Sequence, residues 1–331
     1  VKRLLAVMGA VAMIGGSILV RGAMTGDGDG GGGGNGSSGG GGTHLICATE
    51  LEAACATLAT EDSDLTFDVE EAGITAERFV DPAFRPADTD IDGWLTLAPW
   101  PELVNLRRDP SDALATAKLT IVGPTERIDL LTTACGGEAQ TGWKCLGGLA
   151  DEPWAANGGD GGQGQIAVGH DNPTESATGL LVLGQAASDW FGDTDFARND
   201  FGEDPDFRPW LAQLENADPN LPLAVQSLPV IDQLEALPNA SWDAVGTLDP
   251  AARTTESRTA DRVAVLYPSP MIRAEAVLAP ITGHEADIDA DQLTAALESA
   301  GWAPGPATQD TPDGPSAGVY EALIEEWKQA T

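Results

Sequence analysis

The sequence predicts an α/β protein, and two observations carry the prediction. Segments with strand-like patterning alternate with segments of helical spacing along most of the chain, the pattern of helices packed on a largely parallel sheet. The chain has 331 residues, and the 289 that follow a Gly-rich stretch ending at residue 42 suffice for one large domain or two lobes of about 120–150 residues each. Only one stretch has the apolar length to approach a membrane span, which excludes a multi-pass channel or transporter.

The elements follow in order. Residues 43–49 (THLICAT) read as a strand, and 51–59 as a helix with Leu51, Ala54, Cys55 and Leu58 on one face. Residues 65–71 alternate as a second strand. A helix over 74–84 is expected to be capped at Thr75 and ended by Pro82. Residues 91–97 form a third strand, ending before Pro99, and a fourth lies at Leu119–Val122 within 113–123. Residues 127–137 are a short helix or irregular. The Gly-rich stretch 151–165 is a loop, suited to a crossing between domains or to an insertion. A short strand at 166–169 and a turn at 170–176 lead into a helix over 176–191 with Ser176 as its N-cap. Helical patterns surround FRPWLAQLE and PVIDQLEAL between 207 and 237. Strands are expected at 241–247, 262–268 and 274–281, and amphipathic helices at 290–301 and 318–330. The last helix is expected to pack back on the body, with docking of a partner as the alternative.

The amino end carries a membrane signal. Lys2 and Arg3 precede 17 apolar or small residues, 4–20, before Arg21. As a helix this run spans about 26 Å, slightly short of a hydrocarbon core of about 30 Å. A cleaved signal peptide and a retained anchor, within residues 1–24, both remain open. Twelve of the 17 residues in 26–42 are Gly, and such a tract (about 25–42) cannot bury apolar area, so it is expected to be a disordered tether. Its root-mean-square reach is roughly 23 Å.

Charge narrows the partners. Asp and Glu number 52 against 17 Lys and Arg, a formal net charge of −35. From residue 43 onward there are 50 acidic and 14 basic side chains, a charge of −36. Such a surface repels nucleic acid and anionic lipid, so no nucleic-acid partner is expected. Self-repulsion at low salt points to a halophilic, extracytoplasmic setting, with a very acidic fold from a non-halophilic source as the plainer alternative. Cys47, Cys55, Cys135 and Cys145 are an even set on an exported chain, which suggests disulfides. Of three pairings, the one closing short loops, 47 with 55 and 135 with 145, is preferred. The absence of CxxC spacing argues against a metal site, and no cofactor is expected. His44, His170 and His284 sit in unrelated contexts.

The sharpest local pattern is Asp171-Asn172-Pro173-Thr174-Glu175-Ser176-Ala177-Thr178-Gly179. Pro173 fixes a turn, and the free amides at the following helix start can hold a polar oxygen. The plainer reading is that Ser176 and Thr178 simply cap the helix. Thr49 and Glu50 follow the first strand in a similar strand-to-helix turn. GxGxxG and GxSxG spacings occur within the Gly-rich stretches alone, where none opens a helix after a strand, and no P-loop or HExxH is present.

Taken in order, these segments resemble a type 2 periplasmic or extracellular solute-binding protein. The style is that of the molybdate/sulfate-like branch and of the binding-protein-like module beside von Willebrand factor A domains. Leu45–Glu50 is similar to that family's opening strand and ligand-facing turn. Asp92-Gly93-Trp94-Leu95-Thr96 resembles its Asp–aliphatic–Trp strand end, with Gly93 departing from the pattern. Trp143-Lys144-Cys145-Leu146 resembles the W-x-x-L stretch before the crossing. Residues 166–181 resemble its G-x-x-D-P-x-x-S-x-x-G-L passage, with Asn172 inserted. Tyr267-Pro268-Ser269 resembles its Tyr-Pro strand end. The resemblance covers about residues 43–301, and the remaining 302–331 hold a Pro/Gly-rich loop and a helix.

The resemblance implies an α/β, two-lobed periplasmic-binding-protein-like fold of type 2 with a central ligand cleft and hinge motion between the lobes. It implies a small-molecule solute as ligand and the permease of an ABC transporter, or another surface protein, as partner. The ligand-facing candidates are Thr49, Glu50, Trp94, Thr96, Arg127, Ser176, Ala177, Thr178 and Tyr267. Glu50 is a departure, because a carboxylate in the cleft penalises a dianion, so a neutral or cationic solute or a protein partner fits better than molybdate or sulfate. Arg127 has a plainer role as a surface arginine answering Glu126 or Asp129. The alternative function is a non-transport interaction or sensory module. An enzyme, such as a hydrolase using Asp92, Asp171 or Glu175, is disfavoured, and the body is expected to be monomeric.

Overall fold

The computed structural model describes residues 42–331 apart from 87–88, 105, 107–108, 220, 239, 261, 282–287 and 307–313. The expected signal or anchor, nearly all of the Gly-rich tract, and His284 lie outside the described residues.

The first lobe begins with β1 (His44–Ala48), whose residues from Leu45 onward are fully buried. A single 3-10 turn, Thr49–Leu51, leads into α1 (Glu52–Glu61). Leu51, Ala54, Cys55 and Leu58 turn inward as their spacing predicts, and a disulfide from Cys47 to Cys55 ties the helix to the strand. β2 (Thr66–Glu70) and β3 (Gly93–Leu97) lie parallel to β1 on either side. Between them, α2 (Ala72–Val80) starts earlier than expected, after Glu71. Thr75 therefore sits inside the helix and does not cap it; its buried hydroxyl donates to Glu70 Oε2 at 2.6 Å. A single turn, α3 (Trp100–Leu103), follows β3.

β4 (Ala115–Pro124) is longer than predicted, because it belongs to both lobes. Ala115–Lys118 pairs with the first-lobe sheet and Leu119–Pro124 with the second. The chain thus crosses before Trp143 and not after it, and the 151–165 stretch is a loop within the second lobe, closed by a bridge between Pro153 and Gln165. α4 (Thr125–Ala134) and α5 (Trp143–Leu149) are joined by the disulfide Cys135–Cys145. β5 (Val168–Gly169) leads through the 170–176 turn into α6 (Ala177–Phe191). Residues 177–188 of α6 are all buried, which marks it as the central helix of the lobe. Its start is capped as predicted: Gly179 N–H donates to Ser176 Oγ at 3.1 Å.

Short helices α7 (Asp200–Glu203), α8 (Phe207–Glu215), α9 (Leu223–Gln226) and α10 (Val230–Ala236) cover this lobe. Phe191, Phe196, Phe201 and Phe207 form an aromatic cluster beneath them. β6 (Ala244–Leu248) lies parallel to β5, and α11 (Asp249–Thr259) and β7 (Val263–Leu266) complete the lobe. The chain then returns through residues 267–272 to β8 (Arg273–Pro280), which runs antiparallel between β3 and the first half of β4. α12 (Ala290–Ser299) packs on α1, and a short β9 (Ala303–Pro304) adds to β4.

The sheet is mixed, not largely parallel. Pairings of β1 with β2 and β3, and of β5 with β6, are parallel, as strand–helix–strand units require. Every pairing made by the crossing strand β4 is antiparallel. The last helix, α13 (Ala317–Ala330), packs back as expected and touches both lobes: α3 on one side, α6 and α8 on the other. Tyr320 is fully buried and fills the space above Gly184, where an added Cβ would lie 2.4 Å from the ring. Trp327 Nε1 donates to Glu215 Oε2 at 2.6 Å, and Arg208 pairs with Glu326.

Gly184→Ala is therefore expected to lower the unfolding free energy by about 1–3 kcal/mol through overpacking against Tyr320. Urea denaturation of the variant and the wild type measures it, and equal midpoints would contradict the packing described.

Candidate functional site

The parallel register places the carboxyl ends of β1 and β2 side by side, with Ala48 opposite Glu70. Thr49 and Glu50 after β1 and Glu71 after β2 therefore emerge from one edge of the first lobe. Facing them from the second lobe are the 170–176 turn, the start of α6 and the 226–233 segment around α9 and α10. Together they line a cavity of about 520 Å³ between the lobes.

The two sides already touch. Glu50 is half-buried, and its Oε1 accepts hydrogen bonds from Thr178 N–H at 2.7 Å and Ser176 Oγ–H at 3.1 Å. A carboxylate of the first lobe thus sits on the free amides that begin α6, where the helix dipole favours negative charge. Beside it, Gly73 N–H donates to the Glu175 carbonyl at 2.8 Å. The approach is so close that a Cβ at position 73 would lie 1.9 Å from the Thr174 carbonyl oxygen, so only glycine fits there. The Thr49 hydroxyl lies 3.3 Å from Glu50 Oε2 and 3.1 Å from Glu71 Oε2, and its one proton serves this pair of carboxylates.

The cavity wall is acidic. Glu50, Glu71, Asp171, Glu175 and Asp232 line it. Burial, reinforced by the nearby charge of Glu50, pushes the Glu71 carboxyl up to about 7. Burial likewise pushes Asp171 up to about 6, although Val230 N–H donates to its Oδ1 at 2.8 Å. Among the described lining residues the single basic group is His170. Its ring nitrogens face two acceptors, the Asp171 carbonyl at 2.7 Å and Glu215 Oε1 at 2.9 Å, so both must carry protons. Burial opposes that charge, yet the Glu215 carboxylate raises the His170 pKa above its ordinary value. The imidazolium is thereby committed to Glu215. Leu228, Pro229, Val230, Ile231 and Trp242 supply an apolar side to the cavity.

Of the residues singled out in the sequence, Thr49, Glu50 and Ser176 line this cavity, and Thr178 reaches it through its amide. Ala177 is fully buried beside them. Trp94 lies in the first-lobe core, edge-on to Phe79 at 5.4 Å, and Thr96 is fully buried in β3 with its hydroxyl unpartnered. Arg127 pairs with Asp243 at 3.2 Å and lies 4.9 Å from the Trp154 ring centre, in a separate hollow. Its partner is thus neither Glu126 nor Asp129. Tyr267 is partly exposed and donates to Asp249 Oδ1 at 2.6 Å. These last four lie outside the cavity lining. Asp92 sits at the far end of β3, where its carboxylate accepts from His44 N–H at 2.9 Å, remote from Asp171 and Glu175.

Sequence reasoning missed Glu71, His170, the 226–233 segment and Trp242. Glu71 was within reach, since it ends β2 as Thr49 ends β1. The 226–233 segment offered no signal beyond Pro229. Among the described residues, no group of three or more His, Cys, Asp or Glu is arranged to hold a metal ion.

A solved structure shares this architecture. An extracellular solute-binding protein, so described, from Bordetella parapertussis superposes with a TM-score of 0.50 at 12% identity, over 87% of this chain and 98% of that one. The chain has the two-lobed solute-binding-protein fold. A spermidine/putrescine transporter substrate-binding protein from Streptococcus pneumoniae aligns with a TM-score of 0.49 at 10% identity, over 87% of this chain and 98% of that one. An ABC transporter protein from Clostridium perfringens aligns with a TM-score of 0.48 at 10% identity, over 87% and 99%. No family model and no curated protein matches the sequence.

The raised carboxyls set a pH dependence. Glu71 and Asp171 keep protons in the folded chain at pH values where the unfolded chain has released them. Their contribution to stability is present below about pH 4 and is lost as pH rises through about 6 and 7. Glu71→Gln is expected to melt higher than the wild type at pH 8 and close to it at pH 5. Thermal unfolding across that range at constant ionic strength reads the difference, and parallel curves would contradict it.

Proposed function

We propose that the chain is an extracytoplasmic solute-binding protein that takes a small organic cation between its lobes and presents it to a membrane permease. The carrying observation is the cleft itself: five acidic side chains line it, the one basic residue among its described lining is committed to Glu215, and Glu50 fills its anion-favouring helix start. An incoming oxyanion meets repulsion and an occupied site. A cation gains from the field, and Trp242 and the apolar wall can cover its hydrocarbon part. In this reading Thr49, Glu50, Ser176 and the Thr178 amide belong to the binding surface. Residues 1–24 hold the chain at a membrane or direct its export, and the Gly-rich tract gives the body reach above the bilayer. The negative surface suits a salty exterior. The resemblance to the molybdate/sulfate-like branch is then one of sequence pattern and not of ligand.

A second reading, a tethered interaction or sensory module that keeps the fold without transport, is favoured by the contacts already made across the cleft. Thermal-shift measurements on the full chain separate the two. Polyamines, quaternary amines and basic amino acids are expected to raise the melting temperature, since a ligand that prefers the folded state stabilises it. The shift should shrink in Glu175→Gln and at high salt, while sulfate, molybdate and sugars give none. A shift from sulfate or molybdate alone would overturn the cation reading, and silence across the panel would favour the second reading.

A further inference from the structure

We propose that Glu50 is a tethered ligand, a carboxylate of the first lobe that holds the second lobe shut in the absence of solute. The inference rests on the two-lobed binding reading and adds to it what keeps the lobes together. Three observations converge. The Glu50 carboxylate receives Thr178 N–H and Ser176 Oγ–H at one oxygen, and Thr49 Oγ1 lies within hydrogen-bond distance of the other. The Ser176 hydroxyl that donates to Glu50 also accepts Gly179 N–H, so the first turn of α6 is ordered around the carboxylate. The neighbouring contact, Gly73 N–H to the Glu175 carbonyl, forms only when the lobes meet and has no covalent reason to follow Glu50.

A carboxylate on the start of a long, buried helix occupies the position a bound anion would take. Here the anion arrives on the opposite lobe, so recognising it and closing the cleft are one event. Hydrogen bonds to a charged group are worth more than neutral ones, and these are partly shielded from water. The surrounding carboxylates work against this closure. Glu71, Asp171 and Glu175 crowd the same cavity, with Asp232 on the α10 side and the His170 imidazolium committed to Glu215. A cationic solute relieves that crowding, whereas an anion has to displace Glu50.

Hydrogen exchange on the ligand-free full chain tests this, with wild type compared with Glu50→Ala. The Thr178 and Gly73 amides are expected to lose protection together, each exchanging at least about tenfold faster, while the β1 amides keep theirs. Loss of protection at Thr178 alone, with Gly73 unchanged, would reduce Glu50 to a local helix cap and overturn the proposal. Unchanged exchange at both amides would overturn it as well. If Glu50→Ala does not fold, Glu50→Met is read in the same way, since it keeps the length of the side chain and removes both acceptor oxygens. Because no solute is present, failure of the cation reading leaves this result standing and separable.

Discussion

The contact between Glu50 and the start of α6 organises the molecule around its cleft. It is the point at which a charge from one lobe meets the unsatisfied amides of the other. Each side is made by ordinary secondary structure. β1 ends in a 3-10 turn that lifts Glu50 off the sheet edge, and β5 ends in a turn that aims the first amides of α6 back across the gap. Without that charge the cleft would present a helix start open to oxyanions. With it, the remaining carboxylates leave the space between the lobes negative.

The rest of the architecture serves this meeting of lobes. β4 carries the chain across, and residues 267–272 carry it back between β7 and β8. Two connections join the lobes, and the first changes sheets at the Lys118–Leu119 junction. α13 adds a third link, because it touches α3 as well as α6 and α8. Tyr320 over Gly184, Trp327 with Glu215 and Arg208 with Glu326 hold that helix to the second lobe. Glu215 joins this anchor to the cleft, since its two oxygens serve Trp327 and His170.

Much of this was legible in the sequence where local rules decide. Ser176 announced the start of α6 by its hydroxyl and by the turn residues before it, and the cysteine spacings gave the short-loop disulfides that formed. The α1 face was readable from Leu51, Ala54, Cys55 and Leu58. Local rules failed where tertiary context overrode them. Thr75 resembled a cap, but Glu70 offered its hydroxyl a buried partner inside the helix. β4 looked four residues long because half of it pairs in each lobe. The partner of Arg127 is Asp243, more than a hundred residues away and brought near by β6, a pairing no local pattern encodes. The sequence marked Glu50 as out of place in an oxyanion cleft, but only the fold shows what it binds.

The most direct test of the account is a crystal structure of the full chain grown at neutral pH without added ligand. The account predicts closed lobes, with Glu50 Oε1 near 2.7 Å from Thr178 N and the Gly73 amide on the Glu175 carbonyl. An open cleft with the Glu50 side chain in solvent and a bare α6 start would contradict it.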